Sequence, residues 1–443
     1  MSTRKHHNDP ATTIATAAAR LAVATLLAAL AAACSGDGSA SDADATSADT
    51  QEDAAPDAEA DSGADLLPQD VPADNLPADS SLPDGFQDVA AETEEDAAVP
   101  PPEFPLLAQP EGVLVKDGRV FVTNTNGAWD ANQNRMVYQP GYVTVLDAAD
   151  LSYAGQVELG FLNPQFVVDL GPGRVAVVCS GSSVADANWT MTPAASGAVI
   201  VLDSDSLDDL GSVEIVAGNP TPLAGFPGPA SYDPGADTLY VGSGTSACLY
   251  RVDVSPEGIG TAPEVIEIYP DDGMNDSIIP FFHEGTVYAA SFNKGTVSTV
   301  AAGQGKPGSE PFDVTETDQL EGPVDLRVAG NTLYVLLTIS AKVAALDLSS
   351  TDVSYPFVTG ATPNRLAMSG NFLFSVNSGE NNLTRYDLSK DETTQSFVAF
   401  EPGTNPWEMA VADNMGYVTG YMTSTLVKVD LAAGKVEKVL KNQ

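Results

Sequence analysis

Carboxylates are the commonest groups in this sequence that could do chemistry. Six of them, Asp147, Asp203, Asp253, Asp347, Asp387 and Asp430, recur at the end of an apolar run. Close carboxylate pairs would serve acid–base catalysis, but one aspartate per repeat places them on different units. An aspartate at a strand end holds the following turn through the backbone amides beyond it, and that role is expected of these six. Other catalytic sets are thin. His283 is the single histidine after His7 and is expected in a turn, with too little company for a metal site or a histidine-based triad. Asp130-Ala131-Asn132-Gln133-Asn134 opens like a calcium loop, yet Arg135 stands where that loop needs glycine and no glutamate closes it. Haem-attachment, nucleophile-elbow and zinc-protease motifs are missing. No catalytic residue, metal or cofactor is therefore assigned from sequence.

Binding chemistry is better represented. The sequence holds three tryptophans. Trp129 stands with Asp130 and Asn132 in one insertion (125–141), and Trp189 with Asp186 and Asn188 in another (180–197). Trp407 directly follows a proline that opens a repeat. Tryptophan with polar neighbours is the usual make-up of a binding hot spot. Asp325, Arg365 and Glu408 each lie two residues after such a proline and are expected at the mouth of a channel, where they would neutralise one another. Cys179 and Cys248 are candidates for one disulfide in an exported chain, the alternative being two buried thiols.

The elements that position these residues form a repeat. A proline opens each unit, an aromatic follows eleven residues later, and an aspartate thirteen after that: Pro229, Tyr240, Asp253; Pro323, Tyr334, Asp347; Pro363, Phe374, Asp387; and Pro406, Tyr417, Asp430. Pro110 with Phe121 and Pro164 with Val175 open two further units whose aspartates come late because of the insertions. A degenerate unit keeps Tyr288 but has Ser277 in the proline slot, making seven in all. Each unit reads as four short strands, for example 324–328, 332–338, 342–348 and 353–358, bounded by Gly, Asn, Asp or Ser. Four strands per unit and this period predict an all-β, seven-bladed β-propeller over residues 104–443. The insertions and the first-strand openings share one face in such a fold, so the tryptophans gather on blades seven, one and two.

The runs Phe121-Val122-Thr123-Asn124, Tyr240-Val241-Gly242-Ser243 and Tyr417-Val418-Thr419-Gly420 resemble those of the YVTN family of seven-bladed propellers. That resemblance implies the architecture and no catalytic residue set.

Residues 1–33 combine Arg4, Lys5 and Arg20 with a short apolar run, the order of a secretory signal. The run closes on Leu30-Ala31-Ala32-Ala33-Cys34, which resembles the lipobox of bacterial lipoproteins with its leucine one place early. The resemblance implies lipid attachment at Cys34. Residues 34–103 hold many acidic groups and no Lys or Arg; too few apolar side chains oppose the entropy of ordering, so a disordered tether of roughly 45 Å root-mean-square span is expected. A formal charge of −42 excludes nucleic acid as a natural ligand. The expected protein is thus a monomeric lipoprotein of the cell envelope, in the outer membrane with its propeller in the periplasm or at the surface. It binds a protein or glycan through blades seven, one and two. The alternatives are a propeller lyase or lactonase-like hydrolase, and a passive envelope component.

Overall fold

The computed structural model describes residues 101–130, 135–185, 191–269, 275–308 and 310–442. The signal segment, Cys34 and the acidic tether lie outside them. Among the described residues there is no helix, and the chain forms seven antiparallel blades, each from one contiguous stretch. Their innermost strands are Pro110–Lys116, Pro164–Asp169, Pro227–Asp233, Ile278–His283, Pro323–Ala329, Pro363–Ser369 and Pro406–Ala412. Each packs against the next, and Pro406–Ala412 returns to Pro110–Lys116, so the ring closes around a central channel. This is a seven-bladed β-propeller.

Sequence pattern explains the layers. Every second strand is an apolar run buried on both faces, as in Arg119–Asn124 and Phe372–Asn377, because neighbouring blades cover both sides of it. Of the aromatics that mark the repeat, Phe121, Tyr240, Phe374 and Tyr417 are at most 3% exposed, and Tyr288 and Tyr334 are half-buried. The outermost strand of the last blade, Lys435–Lys441, carries Lys435, Glu437, Lys438 and Lys441 along an open edge, where charge discourages pairing with other chains. The repeated aspartates hold turns, as expected: Asp203 accepts N–H bonds from Asp205 and Ser206, Asp347 from Ser349 and Ser350, and Asp430 from Ala432 and Ala433.

The opening prolines have a structural meaning the spacing did not reveal. In each proline-opened blade the register between first and second strands shifts directly after that proline. Proline lacks a ladder donor and suits a strand's first residue, and the bulge beside it re-aims the next side chains. The degenerate blade has no proline there, and its first pair runs in unbroken register from Ile278 to His283. One assignment needs correction. Blade three opens on Pro227, which pairs with Ser243 as Pro406 pairs with Gly420. Pro229 lies inside the bulge and matched the spacing only because the turn after Asp233 is longer than those of blades one, four, five, six and seven.

Both insertions fold as β-hairpins, Gly127–Asp130 with Arg135–Tyr138 and Ser182–Ala185 with Met191–Ala195. Cys179 and Cys248 are free thiols, not a disulfide. They lie near the same end of adjacent blades, but Cys179 packs in the layer between blades one and two with Phe121 and Val143, and Cys248 in the layer between blades two and three with Leu239 and Tyr250. The second blade stands between them.

Candidate functional site

Strand register fixes which residues share the channel mouth. Pro110 pairs with Asn124, and Asn124 with Tyr142, so first-strand openings, second-strand ends and the inserted hairpins occupy one face. The residue before each opening proline is held at positive φ in five blades: Gln109 (51°), Asn163 (58°), Gly322 (70°), Thr362 (51°) and Asn405 (49°). Glycine and asparagine tolerate that region best, and positive φ also occurs in turns at the far end of the blades, such as Asp117 and Asp413.

Two bulges aim carboxylates into the channel. In blade one Glu111 and Gly112 stand opposite Thr123, and in blade seven Trp407 and Glu408 stand opposite Thr419. The threonines satisfy the displaced backbone: Gly112 N–H donates to Thr123 Oγ1 (2.8 Å), Glu408 N–H to Thr419 Oγ1 (3.1 Å), and Thr419 Oγ1–H to the Glu111 carbonyl (2.7 Å). The middle of the YVTN-like run is thus the clamp that holds the two glutamates next to each other.

Glu111 is 4% exposed and its Oε2 has no hydrogen-bond partner. Its carboxyl is bonded by Gln165. Ser180 Oγ–H donates to Gln165 Oε1 (2.6 Å), which leaves the Gln165 amide nitrogen to face Glu111. Burial raises the Glu111 pKa to about 8, with the Arg365 charge opposing and the Glu408 charge adding. Glu408 accepts the Val113 N–H of blade one, and burial raises it to about 7 against the pull of Arg365. Tyr138, at the end of the first hairpin, is held above the usual phenol range by burial and by the charge of Glu111, which places that hairpin beside the glutamates. The second hairpin leans the other way, its Met191 carbonyl accepting Asn275 Nδ2–H (2.7 Å) ahead of blade four.

Arg365 donates to the Asn364 carbonyl (2.9 Å) and reaches from blade six to lie over the Phe166 ring of blade two, 5.2 Å from its centroid. It forms no ion pair with a carboxylate among the described residues. Asp325, Arg365 and Glu408 do meet electrostatically, the Arg365 charge lowering and the Asp325 charge raising the Glu408 carboxyl, but without an ion pair between Arg365 and either carboxylate among the described residues. Asp325 is instead consumed by blade structure: Oδ1 accepts Arg327 Nη1 (2.8 Å) and Leu326 N, and Oδ2 accepts Leu366 N (2.7 Å) from the next blade.

Unpartnered polar atoms cluster here. Eight buried side-chain atoms lack a partner among the described residues, and six belong to Gln109, Glu111, Asn163, Asn405 and Trp407, all at the openings of blades seven, one and two. Trp407 packs its ring against Tyr421 at 5.6 Å and leaves Nε1–H unmatched. Trp129 lies in the first hairpin strand beside Asp130; Asn132, Asp186, Asn188 and Trp189 lie outside the described residues. His283 ends the first strand of blade four, at the opposite end of the ring from the mouth. Sequence reasoning missed Glu111, Gln165, Phe166 and Arg327. The signal available was proximity to an opening proline, blurred because the bulges vary in length.

No family model and no curated protein matches the chain. Among solved structures, a streptogramin B lyase is similar at 12% identity and TM-score 0.52, over 72% of this chain and 93% of that one. A computationally designed protein, Ika8, is similar at 11% identity and TM-score 0.48, over 77% and 89%. At these identities the likeness is one of fold alone.

Proposed function

We propose that this chain is a lipid-anchored, YVTN-like propeller of the bacterial cell envelope that binds a protein or glycan through the face of blades seven, one and two. The observation that carries the reading is the concentration of unpartnered buried polar atoms at the openings of those three consecutive blades. A buried donor or acceptor without a partner costs about 1–3 kcal/mol, a cost that an incoming ligand removes. Trp407 supplies apolar area beside those atoms, and the hairpin strand Gly127–Asp130, which contains Trp129, belongs to the same face. Cys34 and the acidic tether give such a binder reach from the lipid.

The test uses Cys34→Ala protein, whose capture by isolated envelopes should be weakened by Trp407→Ala, Trp129→Ala or Trp189→Ala. Undiminished capture by all three would remove the face from consideration. The Cys34→Ala, Trp407→Ala double variant is expected in the soluble fraction, and its membrane retention at the level of Trp407→Ala alone would remove the anchor. A second reading, a propeller lyase or hydrolase, draws on one observation: two neighbouring carboxyls, Glu111 and Glu408, are raised by burial to about 8 and about 7, so near neutrality one can stand protonated as a general acid while the other is ionised as a general base. That reading requires turnover of an envelope glycan that Glu111→Gln abolishes.

A further inference from the structure

The mouth has an excess of negative and acceptor character that no other described residue balances. Three carboxyls, Glu111, Asp325 and Glu408, face two guanidinium groups, and Asp325 already holds Arg327 at 2.8 Å. Two carboxyls remain for Arg365, which contacts neither of them as an ion pair and rests on Phe166. The unpartnered atoms lean the same way: acceptors at Gln109 Oε1, Glu111 Oε2, Asn163 Oδ1 and Asn405 Oδ1, against donors at Asn163 Nδ2 and Trp407 Nε1. Glu111 Oε2 is the decisive one. An ionised carboxylate oxygen can only accept, and this one sits on a residue 4% exposed with no donor bonded to it among the described residues.

We propose that the channel mouth binds a primary ammonium group, with Glu111 Oε2 as its principal acceptor and Glu408 as the second carboxylate. This rests on the reading of the face as a binding surface and names the chemistry the face selects. An N–H donor is required, because a quaternary cation would leave Oε2 without a hydrogen bond. An anion is disfavoured, because reaching Arg365 brings it against both glutamates. Trp407 and Tyr421 offer ring surface to the carbon skeleton beside the cation. The field of a chain carrying −42 formal charges draws cations toward it. Burial raises Glu111 to about 8 and Glu408 to about 7, so these carboxyls hold protons where the ligand charge would sit. A cation must displace them, so binding strengthens as pH rises and releases protons.

The group has two natural sources, an amino sugar and a lysine side chain. Calorimetric titration of the full chain with glucosamine and with Nα-acetyl-lysine amide separates them; N-acetylglucosamine and acetate serve as neutral and anionic probes. At least one ammonium probe should bind at pH 8. The affinity of an amide probe that binds should fall about tenfold or more at pH 6, and Glu111→Gln and Glu408→Gln should each weaken binding about tenfold or more. Binding by glucosamine alone assigns an amino sugar, and by the lysine amide a peptide partner. The inference is overturned if neither ammonium probe binds, if acetate binds more tightly at pH 6 than either amine does at pH 8, or if both glutamine variants bind as the parent does. Weakened envelope capture by Trp407→Ala without amine binding would sink the ammonium site and leave the binding face standing.

Discussion

Glu111 and Glu408 hold their protons in the fold at pH values where an unfolded chain has lost them, and that difference makes stability depend on pH. Between the ordinary carboxyl value of 4.5 and about 8, the native Glu111 binds a proton that the unfolded chain does not. Glu408 adds the same effect up to about 7. The native state therefore binds more protons in this window, and the stabilisation present below 4.5 is lost as pH rises through it. Ligand-free protein should melt at progressively lower temperature from pH 5 to pH 9. Glu111→Gln, which keeps the shape and removes the ionisation, should leave the melting temperature near the parent value at pH 5. At pH 9 it should raise it by roughly 2–4 °C, about what 1 kcal/mol gives in a chain of this size. Parallel melting curves for parent and variant across that range would show that Glu111 does not carry the effect. The position was hard to read from sequence for a geometric reason. Asp325 and Arg365 occupy the second place after their prolines, with one residue in the bulge, whereas the wider bulges of blades one and seven put Glu111 in the first place and Glu408 in the second.

At the scale of the element, the repeat was legible because each of its markers does a structural job. The aspartates bind turn amides, the aromatics fill inter-blade layers, and the prolines sit beside register shifts. What the linear pattern could not show is how one blade seats on the next. Gly197 begins the third strand of blade two, and a Cβ built there would lie 2.3 Å from the Cys179 carbonyl and 2.4 Å from Cγ of Pro227, the opening proline of blade three. Gly141 meets Pro164 of the following blade in the same way, at 2.1 Å. The opening proline therefore packs into a gap that only glycine leaves. Gly197→Ala should destabilise the protein by about 1–3 kcal/mol, the usual cost of overpacking a fitted contact, seen as a lower urea midpoint. Gly228→Ala is the matched control, since its nearest neighbour would lie 3.5 Å away, and it should change stability by no more than about 0.5 kcal/mol. Equal effects of the two would contradict the seating argument. The hairpins were read as loops because their strands of four or five residues pair only with each other and lack the long apolar run that marks a blade strand.

At the scale of the whole molecule, the ring has a seam. Each blade is one contiguous stretch, so no strand is shared between the first and seventh blades, and closure depends on packing and side-chain bonds. Leu107, Val113 and Leu146 pack with Tyr417 and Leu426. Tyr417 Oη–H donates to the Ala148 carbonyl (2.7 Å), and Lys428 Nζ donates to the Ala148 and Ala149 carbonyls (3.0 and 2.6 Å). Leu107 N–H donates to Asn442 Oδ1 (2.8 Å). The same seam holds Glu111 against Thr419, so its integrity positions the candidate site. Tyr417→Phe removes one hydroxyl bond and should cost about 1 kcal/mol. Combined with Lys428→Met, it strips the Ala148 carbonyl of both side-chain donors. Hydrogen exchange should then rise first in the strands of blades one and seven, because local opening follows the weakest cooperative boundary. Tyr232→Phe deletes a comparable bond, to Asp237 within blade three, and should leave the seam's protection unchanged. A uniform loss of protection around the ring in the double variant would mean that the blades open together, and that the covalent break between residues 110 and 441 is not where this propeller is weakest.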